Sequence, residues 1–193
     1  EEKLSLALFH HHRLQEFWAE NLSKKELGLL RRFIPKTWVL DPSSIPPGAT
    51  VDGPLIKQKP LGNWMDLAKA SKKERSLVIK ASGFHETAWG ARSVVIGDDV
   101  SGEEWEKALY GAIESFPRPL SVIQEFHKSS LFEHPIFNSR KEVTPMSGRF
   151  RLSPYFFVLG KEIQWSGTLA TLCPADKKII HGMTDGALIP CSQ

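Results

Sequence analysis

The stretch Leu77-Val78-Ile79-Lys80-Ala81-Ser82-Gly83-Phe84-His85-Glu86-Thr87-Ala88-Trp89-Gly90-Ala91-Arg92-Ser93-Val94-Val95-Ile96 holds two short β-branched runs on either side of a loop with two glycines. β-Branched side chains fit a pleated, half-buried surface, so 77–80 and 93–96 are predicted strands and 81–92 the loop between them. A lysine at the end of a buried strand supplies a fixed cation. A loop whose glycines allow close backbone approach supplies N–H donors, and both suit phosphate oxygens. The unit is not a Walker A motif, which needs Gly-Lys-Ser/Thr leading into a helix. From spacing alone it reads equally well as a surface hairpin with a long loop.

Downstream, Ser101 and Glu104 make a capping box before Trp105, Ala108, Leu109, Ala112 and Ile113, an apolar stripe at helical spacing. Beyond Pro117 and Pro119, Val122-Ile123-Gln124-Glu125-Phe126 is an apolar strand with a polar end. Taken alone it reads as an edge strand, whose backbone could pair with an adenine edge and whose carboxylate could meet a ribose hydroxyl. A polar stretch to Ser147 reads as irregular. The runs 149–159 and 162–172 then form a predicted hairpin turning at Gly160-Lys161. Arg149 and Arg151 alternate on one strand and share a face, so two guanidiniums could converge on a phosphate or carboxylate; a solvated strand face is the alternative.

Upstream, Leu4, Leu6, Leu8 and Phe9 are helically spaced. Leu14, Phe17, Trp18 and Leu22, then Leu27, Leu29, Leu30 and Phe33, predict two more helices with Ser23 capping the second. Thr37 to Leu40 is strand-like, and 64–70 is a predicted short helix. Between them, residues 41–63 hold five prolines and three glycines, which predicts a flexible, loop-rich connector.

A chain of 193 residues can bury one core or one core split into two lobes. The 25 basic and 22 acidic residues are spread without the stripe a phosphate-backbone binder shows, so no nucleic-acid partner is predicted. No apolar run reaches the ~20 residues that span a bilayer, which predicts no membrane partner. Cys173 and Cys191 have no metal-like spacing and no signal peptide is present, so the predicted setting is cytoplasmic. No Gly-x-Ser-x-Gly supports a hydrolase. His10-His11-His12 resembles a metal-binding tract or a tag remnant but sits inside a helical pattern, which weighs against metal binding.

The order of these units resembles the ATP-grasp superfamily along nearly the whole chain. There, a lysine-bearing strand, a glycine-containing loop, a helix and an apolar-apolar-Glu/Gln-Glu-aromatic strand follow one another at similar intervals. The resemblance implies that Lys80 holds the α and β phosphates of ATP. It implies that the loop with Gly83, Gly90 and Arg92 covers the γ phosphate, and that Gln124, Glu125 and Phe126 form the adenine-reading hinge. The circularly permuted branch that includes glutathionylspermidine synthetase is the most similar. Its Ser-x-Lys helix before a Leu-Phe-Pro resembles Ser23-Lys24-Lys25 with Phe33-Ile34-Pro35. Lys24 or Lys25 would then be the first nucleotide-binding lysine. The closing stretch Met183-Thr184-Asp185-Gly186-Ala187-Leu188-Ile189-Pro190 is similar as well.

The implied fold is α+β, ATP-grasp-like and two-lobed, with mainly antiparallel sheets. Residues 1–73 would form a helical segment and connector, 74–116 a small nucleotide-covering lobe, and 117–193 a larger β-rich lobe, with ATP between the lobes. The implied activity is ATP-dependent ligation of a carboxylate to an amine or thiol through an acyl phosphate, with Arg149 and Arg151 neutralising charge in the catalytic step. Magnesium is the implied metal. The family's Asp, Glu and Asn ligands are not recognisable here, and Asp185 is the one carboxylate matched. The chain therefore reads as part of a longer protein, with the remaining ligands and much of the acceptor site in a missing N-terminal part. The rival reading is a non-catalytic nucleotide- or peptide-binding module.

Overall fold

The apolar periodicity forms the helices α1 (Leu4–His10), α2 (Gln15–Asn21), α3 (Lys24–Phe33) and α4 (Gly102–Glu114). Ser23 and Ser101 cap α3 and α4 as predicted. Each hydroxyl accepts from the N–H three residues on, and Glu26 and Glu104 each return a carboxylate to the cap N–H at 2.8 Å. Residues 2–89, 91–180 and 185–191 are described in this computed structural model, and the chain divides into two units, 1–127 and 128–193.

In the first unit, β1 (Thr37–Val39), β2 (Val51–Ile56), β3 (Lys59–Leu61), β4 (Leu77–Ala81), β5 (Val95–Ile96) and β6 (Ser121–Glu125) alternate with the helices. Four of them make an antiparallel sheet in the order β1-β6-β4-β5. Two expectations change here. The strand with Gln124 and Glu125 is interior rather than an edge, because Val122, Ile123 and Gln124 are all buried and its backbone is paired on both sides. Residues 117–127, which the sequence groups with the β-rich lobe, accordingly belong to the first unit.

The connector is also more ordered than its prolines suggest. β2 and β3 form a hairpin inside 41–63, turning through Lys57 and Gln58 at φ 50° and 63°. Both occupy the left-handed region that hairpin turns require, without the Asn-Gly signal by which such turns are read from sequence.

Antiparallel partners point the same way, so the register Ile79↔Ile123, Trp38↔Ile123 and Leu77↔Glu125 sends one set of side chains toward α4 and the 3-10 helix Trp64–Lys69. There Leu77, Ile79 and Ile123 join Leu40, Leu61, Trp64, Leu67, Trp105 and Leu109 in a core. Trp105 is fully buried, and its Nε1 donates to Leu67 O at 3.0 Å. α1 packs against β1 and β6 with Ala7 and Phe9 buried.

The second unit is an antiparallel sheet in the order β10-β9-β8-β7, built from β7 (Phe132–Phe137), β8 (Val143–Leu159), β9 (Glu162–Pro174) and β10 (Ala187–Cys191). The predicted hairpin is present, turning at Gly160 (φ 65°) and Lys161. The stretch expected to be irregular instead supplies β7, which pairs with the first residues of β8. The ladder skips Ser166 between Tyr155↔Gly167 and Phe156↔Trp165. Beyond that bulge the ribbon leaves Phe156, Phe157, Val158, Leu159 and Ile163 exposed. The fold is therefore helices with antiparallel sheets, and none of the described helices is long and apolar enough to cross a membrane.

Trp105→Ala empties the centre of the first unit and orphans the Leu67 carbonyl, so it should cost about 3–5 kcal/mol. Denaturant unfolding of the two proteins measures this. A loss within the ordinary surface range would contradict the placement of the core.

Candidate functional site

The antiparallel register places Thr37, Val78, Lys80, Val122 and Gln124 on the sheet face opposite the core. On this face three side chains form a chain of donors. Lys80 Nζ donates to Gln124 Oε1 at 2.7 Å, Gln124 Nε2 donates to Thr37 Oγ1 at 2.7 Å, and the Thr37 hydroxyl donates to Pro35 O at 2.9 Å. Gln124 and Thr37 are 6% and 1% exposed, so the relay is internal and each of its bonds is satisfied.

Lys80 is half-buried, and burial, reinforced by the Lys3 ammonium, holds its pKa below the ordinary lysine value. Among the described residues no carboxylate forms an ion pair with it. Its partner is a neutral amide, which steadies the ammonium without cancelling the charge.

The loop after β4 is pinned at several points. Ala81 N–H donates to Ser93 Oγ at 2.9 Å and Ser82 N–H to Leu120 O at 2.8 Å, while Lys3 Nζ holds Ala88 O at 3.0 Å. The Ser82 hydroxyl accepts from Lys3 N–H and Leu4 N–H at 2.7 and 2.8 Å and donates to the Glu2 carboxylate. That serine, followed by the Leu4 N–H, holds the Glu2 carboxyl below the usual carboxylate range. A residue of the loop thus caps the start of α1. Gly83 has φ 101°, a conformation side chains rarely adopt, and the tip beyond it exposes Phe84 and Trp89.

The other residues singled out from the sequence are dispersed. Gly90 lies outside the described residues, as do Met183 and Thr184. Arg92 is exposed on the loop. Lys24 is exposed in the first turn of α3, and no hydrogen bond joins it to the Lys80 relay. The Glu125 carboxylate lies 3.5 Å from His127 Nε2. The N–H groups of Glu125 and Phe126 donate to Lys36 O and Ser76 O, so both are used inside the sheet.

In the second unit, Arg149 is 7% exposed and donates to Ser129 O, whereas Arg151 two residues on is exposed. The Nε of Arg149 and the Oγ1 of fully buried Thr171, on the same sheet face, have no hydrogen-bond partner among the described residues. Asp185 pairs with Lys177 at 3.4 Å, and no group of metal-ligating side chains among the described residues includes it. Thr37, Ser82 and Lys3 went unread in the sequence. Their polar atoms matter only through strand register and a contact between α1 and a loop some eighty residues away, neither of which leaves a local pattern.

Comparison with known proteins gives no match to a family model, to a curated protein or to a solved structure.

Because the folded state binds the Lys80 proton less tightly than the unfolded chain, the unfolded chain carries more protons just below the ordinary lysine value of 10.5. The contribution of Lys80 to stability should therefore rise as pH climbs toward 10.5, as the burial cost of the charge is shed. Denaturant unfolding of the native protein and of Lys80→Met along this pH range should show the native protein gaining on the variant. A constant difference between the two would contradict a burial-lowered lysine.

Proposed function

We propose that the first unit binds the phosphates of ATP at Lys80 and the loop that follows it, as the nucleotide-binding part of an ATP-grasp carboxylate–amine or carboxylate–thiol ligase. The observation that carries this reading is the half-buried Lys80 ammonium, held by Gln124 with no carboxylate partner among the described residues. An uncompensated cation beside a loop with a positive-φ glycine suits a polyanion, whose oxygens accept charge-assisted hydrogen bonds. Lys3 adds a second positive charge near the first. In the ligase such cations would offset charge that builds up as phosphate moves to a carboxylate. The resemblance gives Arg149 and Arg151 a charge-neutralising role as well; in the second unit Arg149 is buried and spent on Ser129 O, and Arg151 is the one whose side chain is exposed.

The ATP and magnesium parts of the proposal fit differently. Lys80 and its loop suit phosphate. Asp185 is engaged by Lys177 and joins no group of three or more metal-ligating side chains among the described residues, so it does not fit as a free magnesium ligand, and no metal-dependent step is assigned to this chain. In this reading the remaining ligands and the acceptor site lie in another part of a longer cytoplasmic protein. That misfit also favours a second reading, a module that holds a nucleotide without turning it over. Because the N–H groups of Glu125 and Phe126 are spent inside the sheet, adenine recognition would fall to other groups.

Calorimetric titration with magnesium ATP tests the reading. The native chain should bind saturably, and Lys80→Ala should weaken binding about 10- to 100-fold, the worth of one or two hydrogen bonds to a charged group. Gln124→Leu, which removes the amide holding the ammonium, should weaken it less. Lys80-dependent binding without phosphate release supports the module, and equal affinity in Lys80→Ala removes the nucleotide site from this lysine.

A further inference from the structure

The fold divides the His10-His11-His12 tract. His10 ends α1, and its Nε2 lies 3.0 Å from Ile34 O, a bond in which the ring donates. His11 leaves the helix in an extended conformation (φ −63°, ψ 128°), and His12 opens a short 3-10 helix. That turn stacks the two rings with centroids 4.8 Å apart and planes 19° apart, where two successive residues of a regular helix would diverge. The β2–β3 hairpin then brings Asp52 from forty residues away, with Oδ2 2.8 Å from His12 Nδ1.

One ligand atom from each of His11, His12 and Asp52 lies within 4.8 Å of the others, and no other group of three or more such side chains occurs among the described residues. The cluster belongs to the wall of a groove of about 820 Å³ in the first unit, also lined by Trp38, Pro46 and Trp64. An exposed His–Asp ion pair contributes only about 0–1 kcal/mol, and it needs one histidine. The second ring, turned alongside the first, adds a nitrogen donor at the same point.

We propose that His11, His12 and Asp52 form a binding site for a divalent transition-metal ion of the zinc class. Two imidazole nitrogens and one carboxylate oxygen suit zinc or copper, whereas magnesium and calcium take oxygen ligands. Bonds of ~2.0–2.2 Å require ligand atoms roughly 3.3 Å apart in a tetrahedron. His12 Nδ1 and Asp52 Oδ2 are already within that distance, and both side chains are exposed. The ion would replace the hydrogen bond between His12 and Asp52. His11 would bind through the ring nitrogen that faces the other two ligands, and its Nδ1 at present accepts a long 3.3 Å contact from the Arg13 N–H. Three protein ligands leave a position open to solvent or to a molecule in the groove, the arrangement of an open zinc site. Binding would join the end of α1 to the β2–β3 hairpin. The proposal does not depend on the nucleotide reading.

The test uses the protein free of any added histidine tag and stripped of metal. Titration with zinc by calorimetry, and with cobalt by its tetrahedral visible absorption, should give one equivalent bound. Asp52→Asn and His12→Ala should each weaken binding about tenfold or more. His134→Ala, on a strand of the other unit, should leave it unchanged. Zinc should raise the thermal unfolding temperature of the native protein and not that of Asp52→Asn. Asp52 is exposed and asparagine keeps its size, and circular dichroism checks that this variant is folded. Zinc binding as tight in Asp52→Asn as in the native protein would overturn the site by reducing it to a histidine pair, and so would the lack of saturable binding by the native protein.

Discussion

The pairing of β4 with β6 is the constraint from which the first unit follows. Ile79 opposite Ile123 commits one face of the sheet to the core around Trp105, and the two-residue side-chain period then commits Lys80 and Gln124 to the other. A slip of one residue would bury the lysine among Leu67, Trp105 and Leu109 and turn two isoleucines toward α1. The cost of an unpaired charge in that core excludes the slipped register. Position and charge of the lysine are therefore consequences of the same ladder that holds the sheet together.

The lysine is stabilised without being neutralised. A carboxylate partner would have formed a buried ion pair and left little net charge for a ligand. The amide of Gln124, oriented by Thr37 and through it by the Pro35 carbonyl, accepts one hydrogen bond and leaves the ammonium charged. All three donors point along one direction, so each bond polarises the next. Nearby, Ser82 and Lys3 tie the loop to the start of α1, which links the helix, the loop and the lysine-bearing strand into one assembly. The exposed rings of Phe84, next to the positive-φ Gly83, and of Trp89, next to the tied Ala88, lie on this same loop.

Much of the secondary structure was legible because it is local. Ser23 with Glu26 and Ser101 with Glu104 satisfy their own helix ends, and those bonds form whatever the rest of the chain does. Gly160 at a left-handed turn marks the β8–β9 hairpin for the same reason. Elements held by distant partners were misread. Prolines in 41–63 suggested a loose connector, yet β2 and β3 pair there and leave Leu61 buried in the core. The strand of Gln124 carries polar residues at its end like an edge, and only its two neighbours show it to be interior. β7, with Pro135 in its middle, is a strand because β8 is long enough to offer it a partner.

The candidate sites divide along the same line. By itself the sequence determined the helices, most strands, the mix of helices with antiparallel sheet, and the presence of a lysine before a glycine-containing loop, because each is encoded by residues a few positions apart. Only the tertiary structure decided that Lys80 faces away from the core, that Gln124 accepts a hydrogen bond from it, that Ser82 caps α1, and that Asp52 lies against His12. These depend on strand register and on contacts across forty to eighty residues, and a linear pattern carries no record of which distant atom the folded chain brings within 3 Å.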